Sequence, residues 1–392
     1  MRAKAVVVVT FLLISISTAH AGSQKVLYTF TGSIDGGQPF AGVIFDPAGN
    51  LYGVTQTGGL YGKGTVFELT PSPSGVWTET VLYNFTGGTD GANPVGGLAI
   101  DDIGNLFGTA NKGGDPGTNC GTLFKLAGNG KFTVLHTFQP NFQFSDGCSP
   151  LAKLFWVAGD PGALWGTSDD GGRNFGTVFI FDLDGNTYGS VPFTGRTGFS
   201  IRGGFNEWGY STTFSGGGAF DGDVYNLFPH IKIIHSFNQK NNLGLNPIGE
   251  MLTATVGGVP TMYGTTSTGG VGGHGTVYSL SKGLNSWSAR LLHSFSGLDG
   301  ASPGAGVTAD PAGNLYGTTT SGGTNPGSAG TVFKLTPGAK KTWIQTVLYN
   351  FSGGSDGGVV TSGVVFDNAG NLYGTTMQGG AFNQGVVYEV TP

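Results

Sequence analysis

Residues 313–319, Gly-Asn-Leu-Tyr-Gly-Thr-Thr, and residues 330–335, Gly-Thr-Val-Phe-Lys-Leu, form one copy of a unit that recurs along this chain. Each copy carries an aromatic residue followed by glycine, and a Gly pair or triple comes next in most copies. Self-similarity at a period of 40–60 residues is typical of a repeat architecture. The repeats centre on Gly53, Gly108, Gly166, Gly209, Gly264, Gly317 and Gly374, preceded by Tyr52, Phe107, Trp165, Trp208, Tyr263, Tyr316 and Tyr373.

Each copy is predicted to contain four short strands, named a to d, because runs rich in Val, Leu, Tyr, Phe and Thr alternate with Gly, Pro, Asn and Asp clusters. In the first copy they cover about 40–46, 50–55, 64–70 and 77–85. The a–b turn, Asp46-Pro-Ala-Gly-Asn50, suits a hairpin because Asp accepts a nearby backbone N–H and Gly supplies positive φ. Seven such units predict an all-β protein, a seven-bladed β-propeller.

The ends of the repeat region predict how the ring closes. Residues 25–30, Lys-Val-Leu-Tyr-Thr-Phe, read as a d strand without its own a, b and c strands, and the last copy ends after strand c at 385–391. The early d strand would therefore complete blade 7 and remove two exposed sheet edges. The fourth copy matches poorly, so a six-bladed ring stays an alternative.

The first 21 residues differ from the repeats. Arg2 and Lys4 precede an apolar run, and a polar stretch ends at Ala21, which is the pattern of a secretory signal peptide. An uncleaved anchor is the alternative, although the apolar run is short for a bilayer span. We expect cleavage near Ala21, a single propeller over 22–392 without a transmembrane segment, and a secreted monomer in the periplasm or outside the cell.

Composition narrows the class of protein. Gly accounts for 75 of 392 residues, charged residues for 10% and aromatic residues for 12%, which is too apolar for a disordered chain and too Gly-rich for helices. The formal charge is −5 and no basic run is present, which argues against nucleic acid as a partner.

Two cysteines are present, Cys120 and Cys148. The b–c and d–a loops of a four-stranded meander emerge at the same end of a blade, and these cysteines fall in such loops of neighbouring blades. In an exported chain a disulfide between them is expected, with two separate buried thiols as the alternative.

The segments GNLYGTT, GTVFxLTP and VLYNFTGGxDGAxP, with the Gly pair, together resemble the GloVer tandem-repeat family of exported bacterial proteins. The resemblance extends over residues 25–392, closely in copies 1, 2, 6 and 7. It implies no catalytic residues, because the family is defined by its repeat.

Features present in most copies are interpreted as structural. The seven step aromatics suit packing between blades better than a sugar-binding ring. Histidines on outer strands are expected to be half-buried and not to share a metal, and loop Asp-Gly pairs to stabilise turns and not to bind Ca²⁺. These residues are His136, His235, His293 and the pairs beginning at Asp35, Asp90, Asp146, Asp299 and Asp356.

Departures from the repeat on strand a are more informative, since that strand lines the axis of a propeller. Four copies place Gly42, Gly97, Gly306 and Gly363 at one shared point. Copies 3 and 5 place Lys153 and Glu250 there, and Arg202 is the charged counterpart in copy 4. We expect these three residues to form a polar ligand site in the channel, with His274 as a loop histidine nearby; a structural ion pair or solvated charges is the alternative.

Two classes of function remain open. The first is a binding or surface-interaction module for a glycan, peptide or protein. The second is an extracellular polysaccharide lyase or hydrolase that uses the channel charges as acid and base. The sequence offers no compact set of titratable groups with a nucleophile, metal-ligand spacing or cofactor loop, so we expect no catalytic residue, metal or cofactor and favour the binding module.

Overall fold

The computed structural model describes residues 22–140, 146–159, 162–171, 175–184, 186–194, 200–216, 221–228 and 230–392. The predicted signal peptide, residues 1–21, lies outside the described residues. The regular secondary structure of the described chain is almost entirely short antiparallel strands, and seven of its sheets are arranged as a ring, which confirms the predicted seven-bladed β-propeller. No helix in these ranges has the length and apolar character needed to cross a membrane.

The strands follow one another along the chain blade by blade. Blades 1 to 3 include β2 (Ile44–Phe45), β3 (Leu51–Thr55), β4 (Thr65–Pro71) and β5 (Trp77–Asn84); β6 (Ala99–Ile100), β7 (Leu106–Ala110), β8 (Thr122–Leu126) and β9 (Phe132–Thr137); and β11 (Phe155–Val157), β12 (Ala163–Ser168), β14 (Thr177–Asp182) and β15 (Thr187–Pro192). A separate two-stranded ladder pairs β10 (Gly147–Cys148) with β13 (Asp170–Gly171).

The remaining blades follow the same order. They consist of β16 (Tyr210–Thr213), β17 (Asp223–Asn226) and β18 (Lys232–Ser236); β19 (Leu245–Val256), β20 (Val259–Thr268), β21 (Thr276–Lys282) and β22 (Trp287–Ser294); β23 (Ala301–Pro303), β24 (Thr308–Ala309), β25 (Leu315–Ser321), β26 (Thr331–Pro337) and β27 (Trp343–Asn350); and β28 (Val365–Phe366), β29 (Leu372–Thr376), β30 (Val386–Thr391) and β1 (Ser23–Thr29). One 3₁₀ turn, Ala339–Lys341, joins β26 to β27.

The ring is held together by apolar side chains between blades. Seven clusters of buried residues lie one at each junction of neighbouring blades, including the junction of blade 7 with blade 1. The step aromatics take part: Phe107 stacks on Trp156 of blade 3, and Tyr373 meets Phe45 of blade 1 edge-on. A blade alone would leave these faces in water, so each sheet depends on its neighbours.

Strand β1 closes the ring as expected. It pairs antiparallel with β30, with Ser23 opposite Thr391 and Thr29 opposite Val386, so it is the outer strand of blade 7. The disulfide between Cys120 and Cys148 joins the b–c loop of blade 2 to the connection between blades 2 and 3.

The sequence suggests that the glycine of the aromatic-Gly step lets the next blade approach closely, and the structure corrects this. Gly53 lies opposite Phe67 on strand c of its own blade, and a Cβ at Gly53 would come within 2.5 Å of that ring. The same arrangement recurs at Gly108 with Phe124 and at Gly374 with Tyr388. The glycine therefore leaves room for an aromatic ring within one blade.

Blade 4 corrects the predicted centre of the fourth repeat. Tyr210 and Ser211, and not Trp208 and Gly209, hold the aromatic-Gly position, because Ser211 pairs with Tyr225 as Gly53 pairs with Phe67. Gly209 instead has a φ of +75° and closes the a–b turn. That hairpin is shorter than in blade 1, and within the described residues blade 4 has three strands, because its inner segment forms no regular ladder.

Replacing Gly53 with Ala should destabilise the propeller by roughly 1–3 kcal/mol, since the new methyl overlaps the Phe67 ring and a well-packed core resists added volume. The matched control is Gly189→Ala, on an outer strand where a Cβ would meet no heavy atom within 4 Å. Chemical denaturation of both variants measures the difference. Equal stabilities would contradict the packing role of Gly53.

The junction of blades 7 and 1 contains a buried carboxyl. Glu79 on β5 stands where blades 6 and 7 carry Gln345 and Gln24, whose amides donate to the carbonyl oxygens of Asp299 and Asp356. Glu79 Oε1 is buried and has no hydrogen-bond partner among the described residues. Desolvation, together with the nearby charge of Asp35, raises the pKa of Glu79 from 4.5 to about 7.

Glu79→Gln should therefore stabilise the protein above pH 7 and change little at pH 4. The folded state holds the Glu79 proton more tightly than the unfolded state, so stability falls as pH rises from about 4.5 to 7 and the full penalty remains above that range. Because Glu79 is half-buried, the gain is on the order of 1–2 kcal/mol. Denaturation across pH 4–8 measures it.

The reciprocal variant is Gln345→Glu. Its stability should acquire the same pH dependence, because it places a carboxyl at the junction of blades 5 and 6. A flat pH profile for the stability difference between wild type and Glu79→Gln would refute the buried-carboxyl account.

Candidate functional site

A channel of about 360 Å³ runs along the propeller axis. The inner segments of all seven blades line it, and residues at matching positions form rings around the axis. The ring at the depth of the predicted glycine point has glycine in five blades and a charged residue in two. Its members are Gly42, Gly97, Lys153, Gly204, Glu250, Gly306 and Gly363.

Glycine in five blades is what creates the space. Each missing side chain leaves the backbone as the channel wall, and the walls are close: a Cβ at Gly306 would overlap the Glu250 carbonyl oxygen. Side chains at all seven points would fill the channel. The two that are present, Lys153 and Glu250, therefore project into a cavity bounded mainly by peptide groups.

Lys153 and Glu250 face the same cavity but do not form an ion pair with each other. Across the described residues the side-chain ion pairs within 4 Å are His136–Asp146, Arg202–Asp169 and His293–Asp299. Gly204 stands between the two charges, since a Cβ there would lie 3.0 Å from the Lys153 carbonyl oxygen and 3.9 Å from the Glu250 Cβ. The structural ion pair weighed from sequence is not formed.

The Lys153 side chain is held by packing of its stem. Its Cγ lies 3.1 Å from the point that a Cβ would occupy at Gly97 of blade 2, so the glycine gives the lysine stem its place. The ammonium remains exposed to the channel. Such an arrangement orients a cation while leaving its three donors available.

Glu250 is a carboxyl in an unfavourable setting. Desolvation raises its pKa, Glu207 adds to the shift and Lys153 opposes it. No described residue donates a hydrogen bond to its carboxylate. A bound group that donates to Glu250, or accepts its proton, would therefore be stabilised there.

The loop end of the channel is the end where the d–a and b–c loops emerge. Arg202 lies two residues closer to that end than the ring of residues that contains Lys153, about 6–7 Å along the axis. Gly204, and not Arg202, is the blade 4 counterpart of Gly42, which corrects the alignment of that copy. The Arg202 guanidinium lies 4.4 Å from the centre of the Phe214 ring, and its Nε is 3.9 Å from Asp169 Oδ1. This cation is thus fixed at the mouth of the channel.

His274 is not part of this group. It lies on the exposed b–c loop of blade 5, beside Gly297, and does not line the channel. The structure therefore brings together Lys153, Glu250 and Arg202 and leaves His274 outside.

The repeated histidines and loop aspartates have structural partners. Asp35 accepts hydrogen bonds from the Thr31 amide and the Tyr28 hydroxyl, which fixes the turn between blades 7 and 1. His293 takes the position of Tyr28 in blade 5 and pairs with Asp299 at 2.9 Å. His235 differs: its Nε2 is buried and has no partner among the described residues, and burial lowers its pKa.

Two channel-mouth residues, Asp169 and Phe214, were not singled out from the sequence. Both lie three residues after the step glycine or, in blade 4, after Ser211, where the other blades carry Gln56, Asn111, Ser267, Thr320 and Met377. An acid in blade 3 and an aromatic ring in blade 4 at this position could have been recognised as departures from the repeat. Their partner, Arg202, comes from the segment between them.

The arrangement suits binding of a small polar molecule. Cations, a carboxyl and backbone groups converge on one cavity, which lies at the small end of the usual range for ligand pockets. Within the described ranges, no group of three or more His, Cys, Asp or Glu residues is placed to hold a metal ion.

Comparison with known proteins identifies a repeat family. The family model described as Gloeobacter/Verrucomicrobia repeat matches residues 13–225 and 209–392. No curated protein matches the chain. One similar solved structure is a candidate oxidoreductase (glucose dehydrogenase) from Thermus thermophilus, at 13% identity and a TM-score of 0.44 over 94% of this chain and 100% of that one. A likeness of this degree says nothing about activity.

Proposed function

The chain belongs to the Gloeobacter/Verrucomicrobia repeat family, and we propose that it is an exported binding module whose channel takes up a small polar group of a glycan. The observation that carries the proposal is the pair of opposite charges, Lys153 and Glu250, facing one glycine-walled cavity without being paired to each other.

Unpaired charges are costly inside a protein unless water or a ligand satisfies them. The other five blades place glycine at this depth, so neither charge is required by the propeller itself. Their presence in blades 3 and 5 is better explained by a ligand that uses both than by packing.

The mouth of the channel supports a glycan in particular. Phe40, from blade 1, is 36% exposed there. In blade 4, on the other side of the ring of blades, Arg202 packs on the ring of Phe214. Aromatic faces beside hydrogen-bonding groups suit a sugar, which is apolar on the faces of its ring and polar around the edge.

Export is part of the same proposal. The leader-like residues 1–21 and the disulfide between Cys120 and Cys148 both fit an oxidising compartment outside the cytoplasm.

The alternative is a polysaccharide lyase or hydrolase. The raised pKa of Glu250 beside a lysine is the observation that favours it, because a carboxyl whose pKa is raised is better suited to act as a general acid. Enzyme and binding module would use the same cavity.

A glycan array probed with the protein lacking residues 1–21 tests both functions. We expect binding to a subset of glycans that falls at least about tenfold in the double variant Lys153→Ala/Glu250→Ala, since each charged hydrogen bond contributes roughly 1.5–3 kcal/mol. Retained signal in the double variant would place the ligand elsewhere.

Lys63→Ala is the matched control. Lys63 is exposed on the b–c loop of blade 1, and its stem packs over Gly87 much as the stem of Lys153 packs over Gly97. Its binding should equal that of the wild type. Shortening of any arrayed polymer, detected by mass spectrometry, would show that the protein is an enzyme and not a binding module.

A further inference from the structure

The charged residues that line the channel indicate the kind of ligand it binds, and this inference rests on the proposed function. Two cations, Lys153 and Arg202, come from neighbouring blades at successive depths. One carboxyl, Glu250, faces them. Asp169 lies beside Arg202 and balances that guanidinium only in part, at 3.9 Å.

We infer that the channel binds a sugar carboxylate of monosaccharide size, such as a uronic acid, with its carboxylate on Lys153 and a ring hydroxyl on Glu250.

The position of Lys153 favours a carboxylate. Its ammonium faces the cavity, and no acidic side chain of the described residues lies within 4 Å of it. This ammonium gains most from a charged acceptor, because charge-assisted hydrogen bonds are roughly twice as strong as neutral ones.

Glu250 favours a hydroxyl over a second cation. Desolvation and Glu207 disfavour its ionised form, and Lys153 compensates only in part. A carboxyl accepts a hydrogen bond from a sugar hydroxyl in either protonation state, and it can also donate one when protonated. The ammonium of Lys153 disfavours a ligand with a free ammonium at that point.

The route into the site has the same sign of charge. Arg202 is 42% exposed at the mouth and is kept in place by the Phe214 ring. A cation on the way to a second cation attracts an approaching anion and speeds its association, and salt weakens that attraction.

The volume suits a ligand of about one sugar unit. A cavity of about 360 Å³ is near the lower limit for drug-sized ligands. A longer acidic glycan would insert its terminal residue and leave the rest outside the loop end of the channel.

Isothermal titration calorimetry with the protein lacking residues 1–21 tests the inference. The probes are D-glucuronate and D-galacturonate against D-glucose and D-galactose, with L-alanine as a zwitterion. We expect the uronates to bind at least about tenfold more tightly than the neutral sugars at low salt. Lys153→Met, which keeps the stem and removes the charge, should abolish that preference.

Two further variants sharpen the result. Glu250→Gln should retain uronate binding, since an amide also donates and accepts, and Lys63→Met should behave as the wild type. Circular dichroism on each variant confirms that it is folded before affinities are compared.

The outcomes separate this inference from the proposed function. Neutral sugars that bind as well as uronates, with affinity still lost in Lys153→Ala/Glu250→Ala, would refute the carboxylate and leave the channel site intact. L-alanine bound tightly and lost in Glu250→Gln would show a zwitterion site instead. If the affinity for every probe is the same in the wild type and in the variants at Lys153 and Glu250, both the channel site and the inference are wrong.

Discussion

The contact between an aromatic ring on strand c and a glycine on strand b recurs in six of the seven blades, and the packing of the ring of blades depends on it. It lets Phe67 lie across Gly53 inside one sheet, so the blade keeps an even face for its neighbour. The step aromatic before the glycine is then free to pack on the next blade. Blade 4 replaces the glycine by Ser211, opposite the buried Tyr225, and it is also the blade whose inner strand is lost.

Much of the fold could be predicted from the sequence because the same repeat occurs seven times along the chain. Closure by residues 25–30 followed from a d strand without its own a, b and c strands, and β1 does pair with β30. The alignment of blade 4 could not be predicted, because Trp208-Gly209 imitates the step while Gly209 serves a turn. Sequence alone gives the residue types, and only strand register distinguishes the two positions.

The candidate site was predicted in part for the same reason. Lys153 and Glu250 stood out because four other copies carry glycine at the same point, and both line the channel. Arg202 was assigned to that depth, but it lies nearer the loop end because the blade 4 hairpin is shorter. The contact of Arg202 with Phe214 could not be anticipated, since it joins a strand a segment to the residue after strand b.

The pairing of β1 with β30 has a consequence for how the ring can form. In a chain made from its amino end, β1 must wait for β30, because its hydrogen-bond partner is synthesised only after the other strands of the ring. Contacts so distant along the chain are slow to form, and until then β1 and β30 each present an unpaired edge. Completion of the ring therefore requires β30: a product that stops short of it leaves β1 and β29 without the strand that lies between them.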